Sequence, residues 1–428
     1  MKKFVFPLLV MLSLLLAACD GMIQAEPTAI PTPVPTEEVT AATPVVQEGA
    51  TVPDCQVASI FPEPRAAYEI TIPLPEAEDH IRGAKDGRMT LIVYSDFQCP
   101  YCAQLEPQIK AFLDAYPEEV TVIFRNLPLI SIHEKAQLAA QAAEAAALQD
   151  KFWEMHDALV DAKNWSAWTA LSLEEFPSWL KTTATSIGLD SEKFMTDLTS
   201  KAIEESVSAE TQANYALGLN STPSVFLFMD GNLYFTPEDQ IPFTYANLEL
   251  IRSLYDLRAI EYKECPANTL KDNKTYTATL KTTKGDIVIE LYAKEAPLTV
   301  NSFIFLSKEG WYDNVPFHRV LDGFVAQAGD PTGTGVGGPG YMIKDEIVDT
   351  LKYDQAGVVG MANSGANTNG SQFFITLDAQ PNLDGSYTIF GHVVEGMDVV
   401  NALTKRDPAS STDLPEPDYI LSVTITEK

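Results

Sequence analysis

Histidine and cysteine are scarce, five of each in 428 residues. Neither type gathers at a metal-ligand spacing. His133 and His156 have no cysteine or carboxylate cluster around them, and no second close cysteine pair exists to complete a four-ligand zinc site. Both histidines read as structural, and no metal or cofactor is expected. Basic charge is scarce as well: 29 Lys and Arg stand against 59 Asp and Glu, a formal charge of −30. That balance excludes nucleic acid and anionic lipid head groups as partners of the surface. Long apolar runs are missing after Ala18, where nothing approaches the roughly 20 residues of a membrane span. The remainder is expected to be soluble, and long enough for two domains that each bury a core.

The N-terminus carries what the rest lacks. Lys2 and Lys3 precede an apolar run from Phe4 to Ala18 that closes on Leu16-Ala17-Ala18-Cys19. This resembles a bacterial lipoprotein signal, which implies that residues 1–18 are a signal peptide cleaved before Cys19 and that the Cys19 sulfur is lipidated. Residues 19–54 then form a Pro- and Thr-rich tether with too little apolar bulk to fold. The expected location is extracytoplasmic, anchored to a membrane through the N-terminal lipid.

The other cysteines fall into pairs. Cys99-Pro100-Tyr101-Cys102 ends the strand-like run Leu91–Tyr94 and opens a helix, so Cys99 faces unpaired N–H groups and the positive end of the helix dipole. Cys99 is the expected nucleophile and Cys102 its partner. Cys55 and Cys265 remain, and in an exported chain they are expected to pair, with two free thiols as the alternative. A bridge there closes a loop of about 210 residues and is worth up to roughly 5 kcal/mol on the chain-entropy model.

The longer string Ser95-Asp96-Phe97-Gln98-Cys99-Pro100-Tyr101-Cys102 resembles the extracytoplasmic thioredoxin-fold oxidoreductases of the DsbA type. Pro107, inside the helix opened by the motif, and the strand Val120–Leu127 extend the likeness. Nearly a hundred residues separate that strand from the next, Ser224–Met229. They read as helices, with His133–Gln149 Ala-rich and Lys151–Leu159 amphipathic. Such a helical insertion belongs to the DsbA-like branch. Trp153, Trp165, Trp168 and Trp179 read as core or rim packing. The resemblance implies a cis-proline at Thr222-Pro223 beside the dithiol, offering backbone bonds to a bound polypeptide, and an exposed Cys99 sulfur. Oxidase is the expected direction, with reductase or isomerase as the alternative, because CPYC occurs in both kinds of site.

A second resemblance begins at Tyr276. A hairpin around Lys284-Gly285-Asp286 is followed by Ala296-Pro297 at a helix start, then Phe317-His318-Arg319-Val320, Gly323–Asp330, Met361-Ala362-Asn363 and Asn367–Phe374. In that order these resemble the cyclophilin peptidyl-prolyl isomerases. The likeness implies that Arg319 donates to the prolyl nitrogen, and that Phe324, Val325, Phe374, Leu383 and Tyr387 form an apolar proline pocket. It further implies that Gln327 orients Arg319 and that Phe317, Ala362, Asn363 and Gln372 contact substrate. Asn382, Tyr387 and Val325 depart from residues common in eukaryotic members, so weak cyclosporin binding is expected. Tyr419, Leu421, Val423 and Ile425 would share one face of a last strand closing a barrel. Gly333–Gly338 satisfies a dinucleotide-binding pattern, but Pro339 and Gly340 follow it and no helix opens there to take a pyrophosphate. His318 reads as a packed, hydrogen-bonding residue.

The expected architecture is multidomain: an α/β thioredoxin fold with a helical insertion at 55–265, a linker at 266–273, and an antiparallel β-barrel at 274–428. The expected function is an extracytoplasmic folding factor combining thiol–disulfide exchange with prolyl isomerisation on unfolded or partly folded exported polypeptides, served by a membrane redox partner. In the alternative, the barrel mainly captures clients for a reductase or isomerase.

Overall fold

The computed structural model describes residues 54–67, 72–76, 79–410 and 413–428. The signal, Cys19 and the tether up to residue 53 lie outside them. The described residues divide into two compact units, Pro62–Arg252 and a second that joins residues 54–61 to Ser253–Lys428. Strand β1 (Cys55–Val57) belongs to this second unit.

In the first unit, strands β2 (His80–Gly83), β3 (Met89–Ser95), β4 (Val120–Asn126), β5 (Ser224–Met229) and β6 (Asn232–Phe235) form a sheet in the order β2-β4-β3-β5-β6. β3 and β4 run parallel, in register from Met89↔Val120 to Ser95↔Asn126, and β5 runs antiparallel to β3. Leu91, Ile92, Val93 and Tyr94 are all buried, because a central strand covered on both faces has no polar side. The parallel pair brings Ser95 and Asn126 to one end of the sheet, and the dithiol follows Ser95 there into helix α1 (Pro100–Ala115).

The insertion is helical: α2 (Ala136–Ala147), α3 (Phe152–Val160), α4 (Ala162–Thr169), α5 (Phe176–Ser186), α6 (Ser191–Leu198) and α7 (Lys201–Ala216). The alanines of α2 are buried against Phe152, Met155, Trp168, Phe176 and Phe194, since side chains this small let neighbouring helices approach closely. Trp168 is fully buried and donates to Leu159 O, while Trp153, Trp165 and Trp179 pack on the same core. α2 starts three residues later than the composition suggests. His133 Nδ1 is held 2.7 Å from the buried Asp96 carboxylate and Lys135 N donates to Gln98 Oε1, so this segment serves the dithiol loop rather than a helical turn.

At the end of β4 two carboxylates meet. Glu144 lies 3.0 Å from His80 Nε2 and accepts from Asn126 Nδ2, and Glu210 accepts from Asn126 N. Burial first, and then the Glu144 charge, push the Glu210 carboxyl up from 4.5 to about 7. A folded-state pKa raised above the unfolded one gives stability that is full below the unfolded value and is lost as pH rises through the folded one. Glu210→Gln is therefore expected to remove the decline in stability between about pH 5 and 8, a gain at pH 8 of up to about 3 kcal/mol. Tryptophan-detected unfolding checks it, because four of the five tryptophans lie in this unit. An unchanged pH slope in the variant would assign the effect elsewhere.

In the second unit, helix α8 (Tyr245–Leu257), which begins before Ser253, leads to β7 (Tyr276–Thr282), β8 (Gly285–Leu291), helix α9 (Pro297–Lys308), β9 (Val315–Pro316), β10 (Arg319–Val320), β11 (Val325–Ala328), β12 (Tyr341–Ile343), β13 (Val358–Met361), β14 (Phe373–Thr376), β15 (Ile389–Glu395), helix α10 (Met397–Asn401) and β16 (Tyr419–Glu427). β7 and β8 pair from Tyr276↔Leu291 to Thr282↔Gly285, with Leu280, Ile287 and Ile289 buried on one face. The N-terminal amides of α9 at Leu298 and Thr299 donate to the Glu346 carboxylate.

The large sheet runs β10-β11-β14-β13-β15-β8-β7-β16-β9, antiparallel and curled. The antiparallel cyclophilin-like architecture expected of this unit is present, as a curled half-barrel sheet. Its edge strands β9 and β10 are two residues each, and the buried Phe317 and His318 carry the chain from one edge to the other where a ladder would close it. The predicted single face of β16 is corrected. The register shifts between Ile420 and Ser422, so Ile420 turns inward and Leu421 is exposed.

The domain boundaries change as well. Cys55 and Cys265 are joined by a disulfide, and both half-cystines lie in the second unit rather than framing the thioredoxin fold from within. The reason is that Cys55–Val57 pairs antiparallel with β12, Cys55↔Ile343 to Val57↔Tyr341. Residues 266–273 are likewise no free linker: Asn301 of α9 accepts from Thr269 N and donates to Ala267 O.

Candidate functional site

Two sites emerge, one in each unit. In the first, Cys99 caps α1 with extended backbone, φ −71° and ψ 124°, and Pro100 takes the first helical position, where a missing N–H costs nothing. Cys99 and Cys102 are both free thiols. The Cys99 thiol is lowered from 9 to about 6, chiefly by a hydrogen bond from Cys102, with further help from Thr222 and the backbone amides of Cys102 and Tyr101 outweighing burial. Burial drives Cys102 the other way, well above its ordinary value. Alkylation by iodoacetamide is therefore expected to follow a single thiol with a midpoint near pH 6 and to spare Cys102; a midpoint near 9 would remove the acidity argument.

The exposed sulfur expected at Cys99 is not what the structure shows. The residue is only 3% exposed, because Thr222 O lies 3.4 Å from its Sγ and the loop bearing the cis Thr222-Pro223 bond covers it. Tyr101, by contrast, is 69% exposed. Asp96 was quoted only as part of a motif, yet it organises the loop: its carboxylate accepts from Gln98 N, Leu129 N and His133, and its carbonyl from Cys99 N. Its place at the end of a buried strand, one residue past Ser95, was the available signal.

In the second site, strand register does the assembly. Arg319 sits opposite Gln327, Gln327 opposite Phe374, and Phe374 opposite Gly360, so these four share one face of the sheet. Val325, two residues before Gln327, falls on that face and is buried with Phe374, Leu383, Tyr353, Val358 and Ile389, while Phe324, Ala362 and Tyr387 pack around them. Tyr387 meets the Phe374 ring edge-on at 5.6 Å, and the Arg319 guanidinium carbon lies 5.7 Å from the Phe324 ring centre. An apolar hollow thus stands next to a fixed cation. Tyr353, missed by sequence reasoning, forms its floor: its hydroxyl donates to Tyr387 O, and a side chain at Gly360 would strike it.

The polar rim is a chain of amides. Gln327 Nε2 donates to Gln372 Oε1 at 3.0 Å, and Gln372 Nε2 donates to the carbonyls of Gly335 and Gly337. Asn363 is half-buried and donates to Ser386 O. The glycine-rich loop is wound on the fully buried Asp330, whose carboxylate accepts from Thr332, Thr334, Gly335 N and Gly337 N. The loop's amides at Thr332, Gly335 and Gly337 are thus spent on a carboxylate, and that negative charge disfavours a phosphate there. Phe317, expected to touch substrate, is fully buried and lies outside the apolar cluster. His318 is buried too, and burial lowers it to about 4; its ring nitrogens find no hydrogen-bond partner, so it is packed but not bonded as expected.

These geometries agree with what the chain resembles. Residues 277–425 match the family model for cyclophilin type peptidyl-prolyl cis-trans isomerases, and residues 76–244 match a thioredoxin model. Peptidyl-prolyl cis-trans isomerase CYP18-2 of Arabidopsis thaliana is 53% identical over 128 residues, covering 29% of this chain and 78% of the relative. The peptidyl-prolyl cis-trans isomerase of Helicobacter pylori is 46% identical over 136 residues, 31% and 83% of the two chains. A crystal structure of a Cryptosporidium parvum cyclophilin type isomerase is 37% identical, covering 36% of this chain and 98% of its own, with a TM-score of 0.34. The chain belongs to the cyclophilin-type peptidyl-prolyl cis-trans isomerases, and it carries a thioredoxin-like domain ahead of the isomerase domain.

Proposed function

We propose that the thioredoxin-like unit is a thiol–disulfide oxidase, and that the two units act on the same unfolded or partly folded exported polypeptides. Both catalyse slow steps of oxidative folding, disulfide exchange and X–Pro isomerisation. The observation that carries the oxidase reading is the split acidity of the dithiol, Cys99 lowered to about 6 and Cys102 raised by burial. A stabilised Cys99 thiolate favours the reduced enzyme and so makes its disulfide oxidising.

In the reaction, a substrate thiolate attacks Cys99 Sγ of the enzyme disulfide. The S–S bond breaks, Cys102 leaves and takes a proton, and a mixed disulfide remains on Cys99. A second substrate thiolate then attacks the substrate sulfur and expels Cys99 as a thiolate. Two electrons pass from substrate to enzyme, and a membrane redox partner removes them to reset the cycle. Thr222, whose carbonyl already lies against Cys99, supplies backbone groups for the strand-like client, and Pro223 fixes the turn.

The N-terminal pattern Lys2–Cys19 supports an extracytoplasmic protein anchored by a lipid on Cys19. Equilibration of the dithiol against glutathione tests the direction. A potential more positive than about −220 mV is expected, and one near −270 mV, where thioredoxin lies, would make the unit a reductase.

A further inference from the structure

The two stretches of the second unit that flank the thioredoxin-like insertion are not idle. On the N-terminal side, β1 pairs with β12, Ala58 N donates to Gly340 O at 2.9 Å, and Asp54 forms an ion pair with Lys344. On the C-terminal side, Tyr262 N donates to Pro339 O at 2.9 Å, and the Tyr262 ring packs on Phe305 and Trp311. The two sides meet where Ile60 N donates to the buried Glu261 carboxylate. The Cys55–Cys265 bond ties them together covalently.

Between them they enclose residues 337–340, the outer half of the glycine-rich loop. A Cβ at Gly340 would lie 2.6 Å from Tyr262 O, and one at Gly337 would be caught between the Asp330 carboxylate and Leu257. From there the contacts run straight to the prolyl groove: Gly337 O holds Gln372, Gln372 holds Gln327, and Gln327 stands opposite Arg319. Nothing in the proposed redox chemistry of the first unit calls for this arrangement, whereas a loop wound from five glycines needs an outside wall to keep its carbonyls aimed at Gln372.

We propose that these flanking segments form a collar that positions the glycine-rich rim of the prolyl groove, with Ile60, Leu257 and Tyr262 as positioning residues and Cys55–Cys265 as the clasp. The affinity of the isomerase for proline-containing chains then depends on the redox state of that clasp. The inference rests on the isomerase activity of residues 277–425 and adds to it a control seated outside the groove. When a dithiol reductant attacks one of the two sulfurs, the S–S bond breaks, two thiols form and the reductant becomes the disulfide. β1 is then held to β12 by a three-residue ladder, the bond from Ala58 N and the exposed Asp54–Lys344 pair, and short ladders fray.

The test uses the full chain and a protease-free assay of prolyl peptide isomerisation, before and after dithiothreitol, with thiols counted at each stage. Reduction is expected to raise KM about three- to tenfold while kcat stays within about twofold, and reoxidation is expected to restore KM. The Cys55→Ser/Cys265→Ser variant should show the raised KM from the start and no response to dithiothreitol. Ile60→Ala, which keeps the disulfide, should raise KM in the oxidised chain, so the proposal does not hang on the folding of one variant. A merely structural role would lower the active fraction and hence kcat, leaving KM alone. Retained turnover with KM unchanged by reduction, once the thiol count shows the clasp open, overturns the collar alone. Absence of turnover in every state overturns the isomerase with it.

Discussion

Cys102→Ser is expected to accumulate as a covalent adduct with client polypeptides, visible on a non-reducing gel and released by dithiothreitol, whereas Cys99→Ser forms none and loses thiol exchange at least about a thousandfold. The asymmetry follows from the environments of the two sulfurs. With Cys99 near 6, about nine-tenths of it is thiolate at pH 7, so it is both a competent attacking group and a good leaving group. Cys102 is buried and driven well above its ordinary value, so it exchanges only with the sulfur beside it. In Cys102→Ser the Cys99 thiolate still attacks client disulfides, expelling one client sulfur as a thiolate, but the neighbouring thiol that would release Cys99 by closing the enzyme disulfide is gone. The substitution also takes away the largest contribution to the acidity of Cys99, so the adduct should form more slowly at pH 6 than at pH 8. Adducts in equal amount from both variants would refute the assignment, because they would show either sulfur reaching the client.

What the sequence displayed, and what it hid, divides along physical lines. The dithiol at a strand-to-helix junction was legible because capping, an apolar run and a proline all speak locally. The half-buried hairpin at Tyr276–Leu291 was legible for the same reason, a period of two in plain view. The groove residues Arg319, Gln327 and Phe374 came from motif likeness, and only the strand register showed why those three share a face. Three residues, Cys55–Val57, give no periodicity, and their partner lies nearly three hundred positions away; their place on β12 depends on tertiary contact alone. The bulge that turns Leu421 outward is a one-residue slip, invisible to alternation. Burial of Cys99 depends on a loop 123 residues further on.

The same contrast separates the two sites by the physical device each uses. The proposed redox site would work through a difference in acidity between two neighbours, which a helix end and a buried pocket create. The prolyl site works through a cation held at a hydrophobic edge and has no titrating group in its reaction. Their dependence on pH should accordingly differ: exchange falls as Cys99 is protonated below about 6, while isomerisation stays flat through that range.

Arg319→Ala is expected to lower kcat/KM for prolyl peptide isomerisation by about 10²- to 10³-fold, the usual loss when one donor aimed at the reacting atoms is removed. The barrier to be lowered is amide resonance, roughly 18 to 20 kcal/mol. It falls when the prolyl nitrogen pyramidalises and its lone pair accepts a hydrogen bond, a donor interaction that exists only in the twisted state and therefore raises kcat rather than tightening the ground state. The guanidinium suits the task because it cannot deprotonate and its planar fork reaches nitrogen and carbonyl oxygen together, so Arg319→Lys should recover little. Fold damage is a poor rival explanation, since Arg319 is half-exposed on a two-residue edge strand, and its backbone pairing with Gln327 needs no side chain. Phe374→Ala should do the opposite, raising KM by emptying the hollow that Val325, Leu383 and Tyr353 surround, with a stability cost of about 3 kcal/mol or more for a buried ring. A folded Arg319→Ala chain that kept kcat/KM within about twofold would show that the cation is a bystander and that the apolar hollow alone twists the bond.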